Sequence, residues 1–347
     1  MRVRALTPIT LALVVSLGCA DSSGDTDEAG DEIGVTDTEE GSSEDTTSSD
    51  SSDTVTDTDT SDTGTESTTG MESLCPADIE AAFPEAWIHG ADCAFEPDIQ
   101  VHWYDSDTVI LRQSLCTNFE GPFMFMLFGE DEVLLEDTGA GGIAIAATVD
   151  AVIEEWLEAK GRASIERVVV NSHAHGDHVQ GNGQFVGQPN TAVVGTSVSE
   201  VSSFFGIQNW RDDIASYDLG GRVIDVLPIP GHQNAHIALF DASRGWLLTG
   251  DTLYPGRLYI ADFGTYVTSI QRMVDFVDGK EVCAVLGTHV EMTTTPGVDF
   301  EFGSTHHPNE HGLWLGLEHL VELRDAVVAM NGTPAYEVHD DFIIYPL

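Results

Sequence analysis

The sequence predicts an α/β fold in which helices cover the outer faces of layered sheets. Three observations lead to this class. Short runs rich in β-branched residues, such as residues 168–170, have the length of buried strands. Longer stretches between them repeat apolar residues at helical spacing. Strands that alternate with helices in this way over about 270 residues are typical of one domain with helices outside its sheets.

The first 73 residues are not expected to belong to this fold. Residues 1–4 are positively charged and residues 6–17 are apolar, so residues 1–18 are predicted to be a signal peptide. The segment at residues 16–19, Ser-Leu-Gly-Cys, resembles the lipobox of bacterial lipoproteins, with Ser16 where leucine is commonest. The resemblance implies lipidation at Cys19 and an exported protein anchored to the bacterial cell envelope, periplasmic or at the surface. A plain secretory signal or a buried apolar helix with a chance cysteine is the alternative.

Composition distinguishes the linker from the folded domain, although both are acidic. Residues 19–73 consist mainly of Asp, Glu, Ser, Thr and Gly and predict a disordered linker after the lipidated cysteine. The domain expected at residues 74–347 contains 41 acidic and 11 basic residues, a net charge of −30. Because nucleic-acid binding draws its affinity from Lys and Arg, we expect no nucleic-acid partner. A solvated acidic surface explains this charge without any chemistry.

The predicted elements follow one another regularly along this domain. Residues 77–87 are weakly helical, and a glycine-rich turn at residues 136–141 lacks the GxGxxG spacing of a dinucleotide site. Apolar residues at helical spacing predict a helix that ends at Gly161. The other predicted helices are 197–205, 268–277 and 318–330, and the predicted strands are 108–112, 123–128, 132–135, 167–170, 192–194, several between 222 and 248, 281–286 and 342–345.

Four cysteines remain in the domain, Cys75, Cys93, Cys116 and Cys283, and they can pair in three ways. Export permits disulfides. Cys75 and Cys93 flank a short segment that opens the domain, so we expect this pair. Cys283 lies in an apolar run and is expected to be a buried thiol. None of the four has the CxxC spacing of a zinc cluster.

Residues 171–178 are the most informative stretch of the chain. His173 and His175 follow the strand at 168–170 and, two residues apart in extended chain, project to the same side, where they can share a metal. Gly176 lets the chain bend so that Asp177 and His178 turn toward a second ion. Imidazole and carboxylate ligands without thiolate suit zinc, with iron or manganese also possible. A histidine-rich surface turn is the alternative interpretation.

Three further candidate ligands follow apolar strands. His232 follows Gly231, Asp251 follows Gly250, and His289 comes two residues after Gly287. Singly, each is typical of an ordinary turn histidine or a capping aspartate. Because side chains at strand ends converge on one rim of a sheet, we expect them to meet residues 173–178.

Four motifs, in their order along the chain, resemble the ligand motifs of the metallo-β-lactamase superfamily. They are His-Ala-His-Gly-Asp-His at 173–178, Gly-His at 231–232, Gly-Asp at 250–251 and Gly-Thr-His at 287–289. The resemblance covers about residues 123–289 and implies an αββα sandwich with two metals at one edge of its sheets. It also implies support of the site by Asp137 from behind the ligands. The implied ligands are His173, His175 and His232 for the first metal, Asp177, His178 and His289 for the second, and Asp251 for both.

The resemblance implies a metal-dependent hydrolase in which a hydroxide held between two zinc ions attacks a small ester, lactone or thioester. Asp177 would orient the hydroxide or move its proton. Asp251 stands where the clinical β-lactamases of the family have cysteine or serine, which disfavours that activity. A glyoxalase II is disfavoured by export and by the lack of a basic glutathione-binding domain. The alternatives are a phosphoester or sulfate-ester hydrolase of the same fold and a non-catalytic, metal-binding surface lipoprotein.

Residues outside the ligand motifs are expected to select a small-molecule substrate. Tyr254 and Arg257 follow Asp251 closely enough to reach the pocket, and Arg257 suits a carboxylate or sulfonate. His306 belongs to a second histidine-rich run, which is expected to form a pocket lip or a loop-stabilising cluster, with a third metal site as the weaker alternative. His236 is expected to pack behind the ligands. The sequence does not indicate an oligomeric state.

Overall fold

Residues 73–347, the part of the chain that the computed structural model describes, contain five α-helices and fifteen β-strands. The expected signal peptide, the lipidation candidate Cys19 and the linker up to residue 72 lie outside the described residues.

The strands are β1 (Ile99–Asp105), β2 (Thr108–Gln113), β3 (Phe123–Phe128), β4 (Glu132–Glu136), β5 (Glu166–Val170), β6 (Thr191–Val193), β7 (Ala215–Asp218), β8 (Val223–Pro228), β9 (Ile237–Asp241), β10 (Trp246–Gly250), β11 (Arg257–Ile260), β12 (Ala284–Gly287), β13 (Trp314–Leu315), β14 (Glu337–Val338) and β15 (Ile343–Pro346). The helices are α1 (Ile145–Lys160), α2 (Gly176–Val179), α3 (Val198–Phe205), α4 (Phe263–Val277) and α5 (Leu317–Ala329).

Two six-stranded sheets form the framework. The first has the order β1-β2-β3-β4-β5-β6 and the second the order β13-β12-β10-β9-β8-β7. Most neighbours are antiparallel, but β4, β5 and β6 run parallel to one another, as do β10 and β12. A small third sheet has the order β11-β15-β14.

Apolar side chains fill three layers. Phe125 from the first sheet and Leu248 from the second belong to the layer between the sheets. On the outer face of the first sheet, α1 buries Trp156. On the outer face of the second sheet, α4 and α5 bury Ile270 and Leu323. The order helix, sheet, sheet, helix confirms the αββα sandwich that the sequence motifs implied.

The two sheets are joined at the edge where β5 and β12 end. The backbone N–H of Ile237 in the second sheet donates to the carbonyl oxygen of Ser172 at 2.9 Å, directly after β5. The N–H of Phe123 in the first sheet donates to the carbonyl oxygen of Thr288 at 2.8 Å, directly after β12. These bonds hold together the strand ends that precede the candidate ligands.

A buried arginine joins the sheets at another position. Arg222 is 5% exposed and pairs with Asp241 at 2.5 Å, at the end of β9. Its guanidinium also donates to the carbonyl oxygens of Asp107, in the turn between β1 and β2, at 2.6 Å and of Phe128, at the end of β3, at 3.2 Å. A buried cation with this many acceptors is fully solvated by the protein and fixes one sheet against the other.

Several elements differ from those expected. Residues 77–87 form only a short 3₁₀ helix, Glu80–Ala82, and none of its residues is buried. Strands β1, β7 and β11 were not predicted, because their residues are only partly apolar. The pairing partner of β11, strand β15, is also distant in sequence. Helix α4 begins at Phe263, five residues before the expected start, where the side chain of Asp262 accepts a hydrogen bond from the N–H of Thr265.

The expected cysteine pairing was wrong. The disulfides are Cys75–Cys283 and Cys93–Cys116, so Cys283 is buried but is not a free thiol. The N–H of Leu74 donates to Glu281 at 3.1 Å, which brings Cys75 beside the start of β12. Spacing along the chain cannot indicate such a pair, because its members are 208 positions apart. No helix among residues 73–347 is long and apolar enough to cross a membrane.

Candidate metal centre

The ends of strands from both sheets supply the candidate ligands. His173 and His175 follow β5, and Asp177 and His178 lie on the short helix α2 that comes next. His232 follows β8, Asp251 follows β10 and His289 follows β12. The structure brings all seven side chains together, in the two groups that the sequence motifs implied.

The first group is a triangle of imidazole nitrogens. Nε2 of His173 lies 3.0 Å from Nδ1 of His175 and 3.2 Å from Nε2 of His232. Nε2 of His232 lies 3.0 Å from Nδ1 of His175. His173 and His232 are buried and His175 is exposed, so the triangle lies at the floor of an opening to solvent.

The second group combines two imidazoles with one carboxylate. Oδ2 of Asp177 lies 3.0 Å from Nε2 of His178 and 3.1 Å from Nε2 of His289. The two Nε2 atoms are 3.4 Å apart. His178 and His289 are buried and Asp177 is partly exposed.

Asp251 lies between the two groups. Its Oδ2 is 3.5 Å from Nε2 of both His173 and His232, and its Oδ1 is 3.3 Å from Nε2 of His289. The hydroxyl of Thr288 donates to Oδ1 at 2.5 Å and holds the carboxylate in this orientation. One carboxylate therefore reaches both groups.

Backbone carbonyl groups fix two of the imidazoles from behind. Nδ1 of His232 donates to the carbonyl oxygen of Tyr259 at 2.7 Å, and Nδ1 of His289 donates to that of Glu120 at 3.0 Å. Since the proton of a neutral imidazole is then on Nδ1, Nε2 of each ring carries a lone pair that points into the cluster.

Asp137 fixes two more imidazoles. Its carboxylate accepts hydrogen bonds from Nδ1 of His178, and from the N–H and hydroxyl of Ser172, each at 2.8 Å. The Ser172 hydroxyl in turn accepts from Nδ1 of His173 at 3.1 Å. Asp137 also has a φ of 66°, a left-handed conformation that is uncommon outside glycine. Asp137 therefore lies behind the ligands, in the supporting position that the resemblance implied.

Close packing explains why the residues directly before His232 and Asp251 are glycines. A Cβ on Gly250 would lie 2.4 Å from Nε2 of His236, and one on Gly231 would lie 2.5 Å from the Cα of Tyr266. His236 is fully buried, and its ring stacks on that of His173 with 4.6 Å between centroids. It packs behind the ligands, as expected.

The carboxylates attract positive charge to one side of the cluster. Burial and the nearby charge of His178 hold the pKa of His173 well below its ordinary value. Burial also disfavours the charged form of His289, but the carboxylates of Asp251 and Asp177 outweigh it and raise the pKa of His289 to about 10. The pKa of His178 is likewise raised, because the carboxylates around it outweigh its burial. These carboxylates favour any cation placed between them.

The donor set fits two divalent metal ions. Nitrogens that bind one tetrahedral zinc at about 2.0–2.1 Å lie about 3.3 Å apart, close to the 3.0–3.2 Å spacing of the first group. Lone pairs of three imidazoles at this spacing repel one another unless a cation lies between them. Asp251 is placed to contact both ions. The seven residues therefore fit a dinuclear metal site.

A cavity of about 290 Å³ opens onto this cluster. This is near the lower limit of ordinary ligand pockets, so it suits a small molecule. Tyr254 lines it, as the sequence suggested. The other lining residues are Glu120, His175, Asp177, His232, Asp251, Tyr259, Ala261, His289, Glu291, Phe302 and Leu347.

The structure places Arg257 and His306, for which substrate-binding roles were suggested, outside the lining of this cavity. Arg257 does not line the cavity: it is buried, its Nε donates to Asp299 at 2.7 Å, and its Nη1 lies 3.3 Å from Glu291. His306 also lies outside the cavity, is exposed, and stacks on His89 with 5.6 Å between centroids. The histidine-rich run stabilises its loop instead.

Sequence reasoning missed six residues of the cavity wall, four of which have acidic or aromatic side chains. Glu291 lies two residues after His289, where alternation along an extended chain would have placed it on the same side. Tyr259 belongs to the unpredicted strand β11. Nothing in the sequence indicates Glu120 or Phe302, because loops far from the motifs in sequence bring them to the cavity.

A family model described as "Metallo-beta-lactamase superfamily" matches residues 118–332. The chain is 37% identical over 116 residues to a hydroxyacylglutathione hydrolase from Synechococcus sp. (strain JA-2-3B'a(2-13)), a match that covers 33% of this chain and 46% of that protein. It is 31% identical over 144 residues to a hydroxyacylglutathione hydrolase from Methylococcus capsulatus (strain ATCC 33009 / NCIMB 11132 / Bath), with 40% and 55% covered. The chain thus spans about half the length of these curated relatives.

Among solved structures, the chain is similar to a metallo-beta-lactamase from Pontibacter korlensis. The TM-score is 0.46 at 17% sequence identity, and the alignment covers 66% of this chain and 99% of the other.

Proposed function

The chain belongs to the metallo-beta-lactamase superfamily, and from this premise we propose that it is a dinuclear zinc hydrolase that cleaves a small ester, lactone or thioester. The observation that carries the proposal is the orientation of the ligand atoms. Hydrogen bonds from behind turn the lone pairs of His173, His178, His232 and His289 into the cluster, and Asp251 reaches both groups. Imidazole and carboxylate donors suit zinc, and iron or manganese remain the alternatives.

Two divalent cations, when bound, supply Lewis acidity that acidifies water and polarises the oxygen of a substrate carbonyl. The protein contributes placement and proton transfer. Asp177 lines the cavity, and the pKa of its carboxyl is lowered because the charges of His178 and His289 outweigh its burial. Divalent cations bound beside it would likewise keep this carboxylate ionised at neutral pH, so it can accept a hydrogen bond from the attacking water and orient it or pass on its proton. The closed back of the cluster, where Asp137 lies fully buried, excludes other water.

Thioesters are favoured within this substrate class. The relatives that match the chain at 31–37% identity are named for hydrolysis of hydroxyacylglutathione, which is a thioester. The reaction at the acyl carbon requires only the cluster and Asp177, which this chain contains. A phosphoester or sulfate ester is the second candidate, but among the described residues no Lys or Arg lines the cavity to receive its anionic group.

Metal analysis and a substrate panel test the proposal. We expect about two equivalents of zinc in the freshly isolated protein and turnover of a thioester, ester or lactone. Asp177→Asn should lower kcat by about 100-fold or more while thermal unfolding stays cooperative. Asp275→Asn, an exposed carboxylate on α4, is the matched control. Two bound zinc ions with no turnover of thioesters, lactones, phosphodiesters, sulfates or β-lactams would instead support a metal-binding surface lipoprotein.

Export and lipidation at Cys19 are part of the same proposal. The sequence of residues 1–19 supports them, and the pairing of Cys75 with Cys283 and Cys93 with Cys116 suits an oxidising compartment. Labelling with a radioactive fatty acid in a bacterial host tests this: wild type should be labelled and pellet with membranes, and Cys19→Ser should not. Equal labelling of the two would contradict the assignment.

A further inference from the structure

The cavity wall beyond the metal cluster carries acidic and aromatic side chains. Glu120 and Glu291 line it together with the rings of Tyr254, Tyr259 and Phe302. Among residues 73–347, no Lys or Arg lines this cavity. A wall of this composition disfavours an anionic group in the substrate and favours a cationic one.

The Glu120 carboxylate is free to meet a ligand. Its backbone oxygen holds His289, but among the described residues its side-chain oxygens have no hydrogen-bond partner. The side chain is only partly exposed and faces the cavity rather than bulk water. A carboxylate in this position keeps an unused acceptor directed at whatever occupies the cavity.

The second carboxylate is only partly neutralised. Glu291 accepts a hydrogen bond from the N–H of Arg257 at 2.8 Å and lies 3.3 Å from Nη1 of that guanidinium. The same guanidinium donates to Asp299 at 2.7 Å, so one arginine is shared between two acids. The group Glu291, Arg257 and Asp299 therefore retains a net negative charge beside the cavity. General acidity of the protein surface does not explain this, since Glu291 is mostly buried.

Aromatic rings complete the environment. The ring of Tyr254 is buried in the wall and lies 5.5 Å from that of His289, and Tyr259 is partly exposed. Phe302 is 71% exposed at the cavity rim and packs on Phe119 with 5.5 Å between centroids. Ring faces attract alkylammonium groups, and carboxylates near the rings add to this attraction.

Building on the proposed function, we propose that the substrate is an ester or thioester that carries a positively charged ammonium group, which binds between Glu120, Glu291 and the aromatic rim. The acyl group would lie at the metal cluster, and the ammonium group of the leaving half would face Glu120. The cavity volume of about 290 Å³ is enough for a small ester or thioester that carries an ammonium group.

Three thioacetates of similar size that differ in the charge of the leaving half test the proposal on the full-length, metal-loaded protein. They are acetylthiocholine, the neutral S-(3,3-dimethylbutyl) thioacetate and the anionic S-(3-sulfopropyl) thioacetate. We expect kcat/KM for acetylthiocholine to exceed that for the neutral compound by about tenfold, with the sulfonate slowest. Glu120→Gln should bring the ratio of cationic to neutral close to one, and Glu154→Gln, an exposed acid on α1, should keep the wild-type ratio.

Calorimetric binding separates this inference from the hydrolase proposal. Choline should bind the protein more tightly than the neutral 3,3-dimethylbutanol, and both Glu120→Gln and Phe302→Ala should weaken choline binding. If no thioacetate is cleaved, the thioester activity is wrong, and the choline measurement alone decides the inference. Equal binding of choline and dimethylbutanol, or preferred cleavage of the sulfonate, would overturn it.

Discussion

At the scale of single residues, the cluster depends on side chains that never touch a substrate. Asp137 accepts three hydrogen bonds, from Ser172 twice and from His178 once, and so sets the orientation of two candidate ligands. It does so from a left-handed backbone conformation with a φ of 66°. Such conformations cost about 1–3 kcal/mol and persist where the surrounding structure enforces them. The backbone of the Asp-Thr-Gly turn thus lowers the stability of the fold, while the Asp137 side chain holds the imidazoles in place.

We expect Asp137→Asn to weaken zinc binding by about 10- to 100-fold, because Asn keeps the side-chain shape and tolerates the backbone conformation but loses the charged acceptor for His178. Competition with a zinc chelator measures the affinity. Asp275→Asn serves as the control. An unchanged zinc affinity in Asp137→Asn would show that His178 does not depend on this carboxylate for its orientation.

Residue types and spacing predicted the cluster, because the ligands belong to short local motifs at strand ends. The same local reasoning did not find the partners of Arg257. As one of few bases close to Asp251 it suggested an anion-binding role, but the tertiary structure places Glu291 and Asp299 around it. Which partners an arginine meets depends on residues 34 and 42 positions away, and the sequence near Arg257 contains no sign of them.

At the scale of elements, a buried ion pair fixes the loop that forms the cavity wall. Arg112 on β2 is 1% exposed and forms a two-pronged pair with Glu310, the second bond at 2.6 Å. Glu310 also accepts from His307 at 3.0 Å, and the ring of His307 stacks on Phe300. The segment that carries Glu291 and Phe302 is therefore attached to the first sheet.

We expect Glu310→Gln to lower the free energy of unfolding by about 3–5 kcal/mol at pH 7, because the Arg112 guanidinium would remain buried without its counter-ion. Urea unfolding measures the change, and Glu154→Gln on the surface is the control. A change of less than about 1 kcal/mol would mean that the pair contributes no more than a surface salt bridge.

The same variant should change the acid dependence of stability. Although burial opposes its charge, Arg112 holds the pKa of the Glu310 carboxyl below its ordinary value in the folded protein. A carboxyl with a lowered folded pKa stabilises the protein above its ordinary pKa, and this stabilisation is lost as the pH falls below it. Wild type should therefore lose stability more steeply than Glu310→Gln below about pH 4.5.

At the scale of the whole molecule, two disulfides close loops of very different length. Cys75–Cys283 spans 208 residues and ties the start of the described chain to β12. Cys93–Cys116 spans 23 residues next to β1 and β2. Because a longer closed loop removes more conformational freedom from the unfolded chain, the first disulfide should stabilise the protein more.

We expect Cys75→Ser with Cys283→Ser to cost about 5 kcal/mol of stability and Cys93→Ser with Cys116→Ser about 3 kcal/mol. Urea unfolding of the two double variants against wild type gives the comparison, and each serves as control for the other. A larger loss from the short loop would show that local packing around Cys93, rather than loop length, decides the effect.

The sequence by itself determined the fold class, the strand ends that precede the candidate ligands and the seven clustered side chains, because each of these depends on apolar periodicity or on short local motifs. The tertiary structure alone decided the disulfide pairing, the partners of Arg257 and the acidic, aromatic wall formed by Glu120, Glu291 and Phe302. These features join segments up to 208 residues apart. Their contacts follow from how the two sheets pack, a property to which every buried residue contributes and which no short stretch of sequence contains.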